Sequence, residues 1–70
     1  MMQMNSVNSS NVAAVGHDED SQTLQVEFKN GSTYQYFDVP KSIFDELKDA
    51  ASVGGYLNSH IKGSFRFSRV

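Results

Sequence analysis

The sequence predicts an α+β fold: a three-stranded antiparallel meander, two helices and a final strand, with the helices in a single layer on one face of the sheet. Three patterns carry that expectation. Leu24, Val26 and Phe28 alternate toward Asn30-Gly31, and Tyr34-Gln35-Tyr36 follows, which is the pattern of a β-hairpin. Behind Pro40, the residues Ile43, Phe44, Leu47, Ala50 and Ala51 recur at i, i+4, i+7 and i+8, the stripe of an amphipathic helix. Near the end, Phe65 and Phe67 alternate with Arg66 and Ser68, as in a strand with one apolar face.

Each element has a local reason. Residues 1–8 are polar and aperiodic and read as a frayed arm, with the domain occupying 9–70. Val12 to Val15 is a short apolar run that ends at Gly16-His17-Asp18-Glu19-Asp20-Ser21, a turn composition, and is read as the first strand. The second strand is Thr23 to Lys29, with Leu24, Val26 and Phe28 on one face and Thr23, Gln25, Glu27 and Lys29 on the other. The third spans Thr33 to Phe37. The first helix is expected from Pro40 to Ala51, since proline is tolerated at the first helical position, where its missing N–H is not needed. A shorter helix from Gly55 to Ile61 buries Leu57 and Ile61, with Gly63 just past its end. Ser64 to Arg69 completes the sheet, with Phe65 and Phe67 inward and Arg66 and Ser68 outward. Phe28 and Phe44 are both expected in the core.

The hairpin admits two registers. If Asn30-Gly31 is a two-residue type I′ turn, Tyr34 and Tyr36 join the polar face of Gln25 and Glu27 and form an exposed stacking platform. If Lys29-Asn30-Gly31 is a type I turn closed by a glycine bulge, the register slips by one and both tyrosines fall beside Val26 and Phe28. The bulged register builds one continuous apolar face that a helix can cover, which suits a domain with few aromatics to spare.

A chain of 70 residues holds at most one small core, and without cysteine it has neither disulfides nor thiolate metal sites. No apolar run approaches the roughly 20 residues that span a bilayer, and Met1 to Ser10 lacks the basic start and apolar core of a signal peptide, so a cytoplasmic protein is expected. The net charge of −2 is unevenly spread. Up to Pro40, Lys29 stands against Asp18, Glu19, Asp20, Glu27 and Asp38; from Ser52 onward, Lys62, Arg66 and Arg69 meet no carboxylate. That is a small positive patch on a weakly acidic protein.

Catalysis finds little material. Ser9, Ser10, His17, Asp18, Asp20 and His60 lack the spacing of a catalytic set, and His17 and His60 read as surface histidines rather than metal ligands. Neither a cofactor nor a metal is expected. The two helices flanking Ser52-Val53-Gly54-Gly55 could suggest a helix-turn-helix, but neither carries the basic surface that duplex DNA needs.

The run Leu24-x-Val26-x-Phe28-x-x-Gly31-x-x-Tyr34-x-Tyr36-x-x-Val39-Pro40, then Ala51-Ser52-x-Gly54-x-Tyr56-x-Asn58-x-x-Ile61-Lys62, resembles the KTSC domain. That family is a short module seen alone in bacterial and phage proteins and at the C-terminus of some lysyl-tRNA synthetases. The resemblance extends from Ser9 to Val70 and departs at His17, where an aromatic is expected, and at Leu57, where phenylalanine is usual. It implies a small domain of unsettled function, with RNA binding suggested by the synthetase association.

A non-catalytic binding module follows, with RNA or tRNA as partner and Tyr34, Tyr36, Lys62, Arg66 and Arg69 as the contact residues, because sheet modules hold single strands by stacking bases on aromatics flanked by cations. The alternative is a protein-interaction or homodimerisation module using an edge strand or the helical face.

Overall fold

The structure, a computed structural model, describes residues 2–70. One antiparallel sheet takes the order β1-β2-β3-β4-β5: β1 (Met4–Ser6), β2 (Val12–Asp18), β3 (Thr23–Phe28), β4 (Thr33–Tyr36) and β5 (Phe67–Arg69). Between β4 and β5 the chain leaves the sheet to build α1 (Lys41–Asp49) and α2 (Val53–Tyr56), which runs on into a π-helical segment, Leu57–Ile61. The expected α+β class holds, the expected meander is β2-β3-β4, and the expected final strand is β5, shorter than Ser64 to Arg69 because the turn after the helix runs through Phe65, while β1 is added at the other edge. Among the described residues, no helix is long and apolar enough to cross a membrane.

β1 corrects the expectation of a frayed arm over residues 1–8, of which Met1 lies outside the described residues. Met4, Asn5 and Ser6 pair with Gly16, Val15 and Ala14. A ladder needs only backbone groups, so a polar segment can join a sheet without an apolar alternation to announce it. Gly16 makes room: a Cβ there would lie 2.6 Å from Met4 Sδ and 2.7 Å from Gln3 O.

The β3–β4 turn takes the bulged form. Gly31 N–H donates to Phe28 O at 3.0 Å and Phe28 N–H to Ser32 O at 2.8 Å, while Gly31 sits at φ +94°, open to glycine and strained for a branched side chain. Asn30 Oδ1 accepts from Ser32 N–H at 3.0 Å and from Ser32 Oγ at 2.6 Å, which fixes the tip. The resulting register pairs Val26 with Tyr34 and Leu24 with Tyr36, so both tyrosines join the core face. Tyr36 is only 3% exposed.

Pro40 sits just before α1 rather than in its first turn; its ψ of 152° is extended and its carbonyl accepts from Ile43 and Phe44 N–H. The helix stops at Asp49, so Ala50 and Ala51 leave the expected stripe. Ser52 caps α2 instead, its Oγ accepting from Gly55 N–H at 3.1 Å, and that cap starts the second helix two residues earlier than the apolar spacing implied. At the other end Lys62 N–H donates to Leu57 O at 2.9 Å, the wide turn of a π-helix, and Leu57 and Ile61 are both buried.

The helices lie on one face of the sheet, and the core between them is Val12, Val15, Leu24, Val26, Tyr36, Val39, Phe44, Leu47, Val53, Leu57 and Ile61. His17 is half-buried rather than a free surface histidine: its ring stacks on Phe44 with centroids 5.3 Å apart, and its Nε2 lies 2.7 Å from Val39 O. A carbonyl only accepts, so Nε2 donates. His17 thus ties β2 to the β4–α1 connection and to α1, filling the place where the resemblance expected an aromatic.

Phe44 is 6% exposed, whereas Phe28 is only half-buried against the core. Phe44→Ala should therefore cost about 3 to 5 kcal/mol and Phe28→Ala distinctly less. Denaturant midpoints of the two variants check this, and equal losses would contradict the burial. Gly16→Val should detach β1 and leave the helical core intact, seen as fast amide exchange confined to β1 and its partner edge on β2; protection equal to the parent would show that the strand tolerates a side chain there.

Candidate functional site

The helices cover only part of the core face. α1 packs on β2, where Phe44 stacks on the His17 ring. Cover thins toward the β3–β4 tip and β5: Phe28 and Tyr34 are half-buried and Phe67 is largely exposed, while Tyr36 stays in the core. There Phe28, Tyr34, Tyr36 and Phe67 share one face, because Tyr34 and Tyr36 pair across to Arg69 and Phe67. They line an open cleft of about 770 Å³ whose rim carries Lys62, Lys29, Asn11 and Asn30.

The four rings form a connected row. Phe28 meets Tyr34 edge-on at 5.8 Å and 88°, Tyr34 meets Phe67 at 5.9 Å and 49°, and Phe67 meets Tyr36 at 5.7 Å and 39°. Phe67, expected to face inward, does point to the tyrosine side but is 59% exposed, since no helix lies above it. Lys62 leaves the π-helical segment and holds its Nζ over the Phe28 ring, 5.6 Å from the centroid.

Three of the five residues expected to bind nucleic acid meet in this cleft: Tyr34, Tyr36 and Lys62. The exposed tyrosine platform does not form, because the bulged register turns both rings into the core face, with Tyr34 half-buried and Tyr36 nearly covered. Arg69 is exposed and stands opposite Tyr34 on the same face, beside the cleft rather than within it. Arg66 lies elsewhere: it donates to Asp38 Oδ2 at 3.1 Å and sits over the Phe37 ring, both groups of the ion pair being largely in solvent. Sequence reading assigned Phe28 and Phe67 wholly to packing. What separates them from the core is their position, Phe28 at the end of β3 beside the turn and Phe67 on the edge strand β5.

Neither cleft tyrosine spends its hydroxyl on the protein. Among the described residues, the tyrosine hydroxyl that makes a hydrogen bond is that of Tyr56, donating to Glu46 Oε1 at 3.2 Å. Burial, with a smaller contribution from Tyr34, raises the Tyr36 phenol above its ordinary value of 10.0, so it stays a neutral donor at every physiological pH. Among the described residues, no three His, Asp or Glu side chains gather as a metal site. The chemistry on offer is stacking, a hydroxyl or amide hydrogen bond, and one or two ammonium groups.

The family model of the KTSC domain matches residues 8–65. The chain belongs to the KTSC domain family. As a KTSC domain it is 41% identical over 63 residues to a protein of Tsukamurella paurometabola, covering 90% of this chain and 94% of that one. It is also 43% identical over 54 residues to the lysine-tRNA ligase of Nostoc punctiforme, covering 77% of this chain. The chain spans about a tenth of that ligase's length, the matched part being 10% of it. A crystal structure of a KTSC domain protein from Yersinia pestis superposes with a TM-score of 0.94 at 34% identity, covering 100% of this chain and 99% of that one. The superposition with that protein extends over the whole chain, β1 and β5 included, whereas the match to the family model stops short of both strands.

The Tyr36 phenol gives this site a pH signature. An unfolded tyrosine ionises near pH 10, while the folded one resists, so the stability contributed by the neutral phenol is fully present below pH 10 and is lost as pH rises toward the raised value. Tyr36→Phe should flatten the alkaline fall in stability, measured by denaturant midpoints from pH 8 to above 10; an unchanged slope would show that Tyr36 ionises as freely folded as unfolded.

Proposed function

We propose that this KTSC domain is a non-catalytic RNA-binding module that seats an unpaired segment, such as a single-stranded region of a tRNA, on the aromatic cleft. The observation that carries the reading is the convergence of Phe28, Tyr34 and Phe67 with the ammonium of Lys62 in one open site, and Arg69 beside it on the same face. Every base offers a π face and every nucleotide a phosphate, so aromatic surface bordered by cations holds single strands with little regard to sequence. The likeness of the family to part of a lysine-tRNA ligase supports it. Such a module works in the cytoplasm, where its RNA is.

Charge sets how tightly it binds. Lys62, Lys29 and Arg69 supply about three phosphate contacts, and for single strands the logarithm of affinity falls with that of salt by about 0.7 per contact. Affinity should then drop roughly 20-fold between 50 and 200 mM salt, a modest slope that leaves stacking as the main attraction. Arg66, held by Asp38 away from the cleft, adds little.

A protein-interaction role is the second reading, favoured by Phe67 at 59% and Val70 at 65% exposure along the free edge formed by β5. It requires a melting temperature that rises with protein concentration if the partner is a second copy.

NMR titration of the labelled chain with short single-stranded RNA and with a tRNA at two salt concentrations tests the first reading. Salt-sensitive shifts at Phe28, Tyr34, Lys62 and Phe67 are expected, with Lys62→Gln reducing the salt slope by about 0.7 and Arg66→Gln leaving it unchanged. Absence of shifts with either RNA at low salt would overturn it.

A further inference from the structure

We infer that the cleft is a pocket for a single nucleotide rather than a platform for a run of stacked bases: one base inserted against Tyr34 between Phe28 and Phe67, with its phosphate on Lys62. This rests on the RNA reading only for the source of the nucleotide. The geometry of the rings decides the number. A platform needs aromatic faces side by side and parallel, whereas Phe28 stands at 88° to Tyr34, and Phe67 is tilted by 49° from Tyr34 and 39° from Tyr36. Rings so inclined wall a concavity. Tyr36, at 3% exposure, lines the cleft but has little surface left on which a base could stack.

The polar groups stand where a nucleotide has its own. Among the described residues, Lys62 Nζ is held only by a cation–π contact of 5.6 Å with Phe28, an interaction that a phosphate oxygen replaces with a charge-assisted hydrogen bond. The base then takes up the ring face that the ammonium leaves. Lys29 also lines the cleft and can share the phosphate. Tyr34, Tyr36, Asn11 and Asn30 also line the cleft, and side chains of these types can pair with base edges or ribose hydroxyls. The cleft volume of about 770 Å³ suits one such ligand.

Because one unit suffices, a free nucleoside monophosphate should occupy the pocket as well as the same unit within RNA. The labelled 70-residue chain is titrated separately with AMP, adenosine, ribose 5-phosphate and hexaadenylate. Shifts at Phe28, Tyr34, Lys62 and Phe67 with AMP, repeated with hexaadenylate and weakened about tenfold for adenosine and for ribose 5-phosphate, are the expected result. Ribose 5-phosphate binding as well as AMP would remove the base from the pocket and overturn the inference. Hexaadenylate moving these residues while AMP does not would overturn it and leave RNA binding as a multi-base path. AMP moving them while hexaadenylate does not would support the pocket and overturn RNA as its source. No response to either would overturn both. Phe67→Ala, with an amide spectrum matching the parent outside β4 and β5 as the check that it folds, is expected to weaken AMP at least fivefold; Tyr34→Phe keeps the ring and should weaken it less, since it removes only the hydroxyl.

Discussion

The register of the β3–β4 hairpin is the constraint on which the rest of this domain depends, and it is set by a three-residue turn closed at Gly31. With Gly31 at φ +94° the turn takes Lys29, Asn30 and Gly31, and the ladder that follows pairs Val26 with Tyr34 and Leu24 with Tyr36. A two-residue turn would shift that ladder by one and carry both tyrosines to the face of Gln25 and Glu27. Tyr36 would leave the core, the row of rings from Phe28 to Phe67 would break, and β5, whose Phe67 pairs with Tyr36, would lose its apolar contact. Core and cleft are therefore two consequences of a single local conformation.

The cleft itself arises from a mismatch of lengths. Five strands present more apolar face than nine residues of α1 and the short second helix can shelter, and the excess collects at the end where the β3–β4 tip and β5 meet. A domain of 70 residues has little apolar surface to leave uncovered. Leaving rings in solvent costs stability that burial would have returned, so the persistence of Phe67 at 59% exposure beside an aromatic row is better accounted for by a ligand than by packing.

The sequence was legible where structure is local and periodic. The strands β3 and β4 and the α1 stripe through Leu47 follow from alternation and from helical spacing, and the bulged turn from the single apolar face it builds; β2, expected only over Val12 to Val15, runs on to Asp18 through residues of turn composition because they pair with Leu24 and Thr23. Residues governed by tertiary geometry were not. β1 pairs through its backbone and has no pattern to read; the early start of α2 comes from the Ser52 hydroxyl outcompeting the apolar spacing; His17 became a clamp only because the β4–α1 connection brings Val39 O within 2.7 Å. Of the expected contact residues, Tyr34, Tyr36 and Lys62 meet because register and helix end coincide in space. Arg69 lies in β5 opposite Tyr34, whereas Arg66 precedes that strand and is held by Asp38.

The low charge of the chain then determines what kind of recognition the cleft can perform. A protein of net charge −2 with cations at Lys29, Lys62 and Arg69 around the site cannot depend on counterion release, which makes the strong nucleic-acid binders both tight and salt-dependent. Its attraction has to come from stacking and from hydrogen bonds made out of water. Both require a ligand that enters the concavity rather than lying across it, because only an inserted ring displaces solvent from Phe28, Tyr34 and Phe67 together. The unused hydroxyls of Tyr34 and Tyr36 fit the same requirement: a phenol that lines a cleft reaches an edge that has come to it, and does nothing for a strand that passes above. Weak charge, inclined rings and free hydroxyls thus point to one mode of binding, in which the domain holds a single extruded unit and the phosphate serves to orient it.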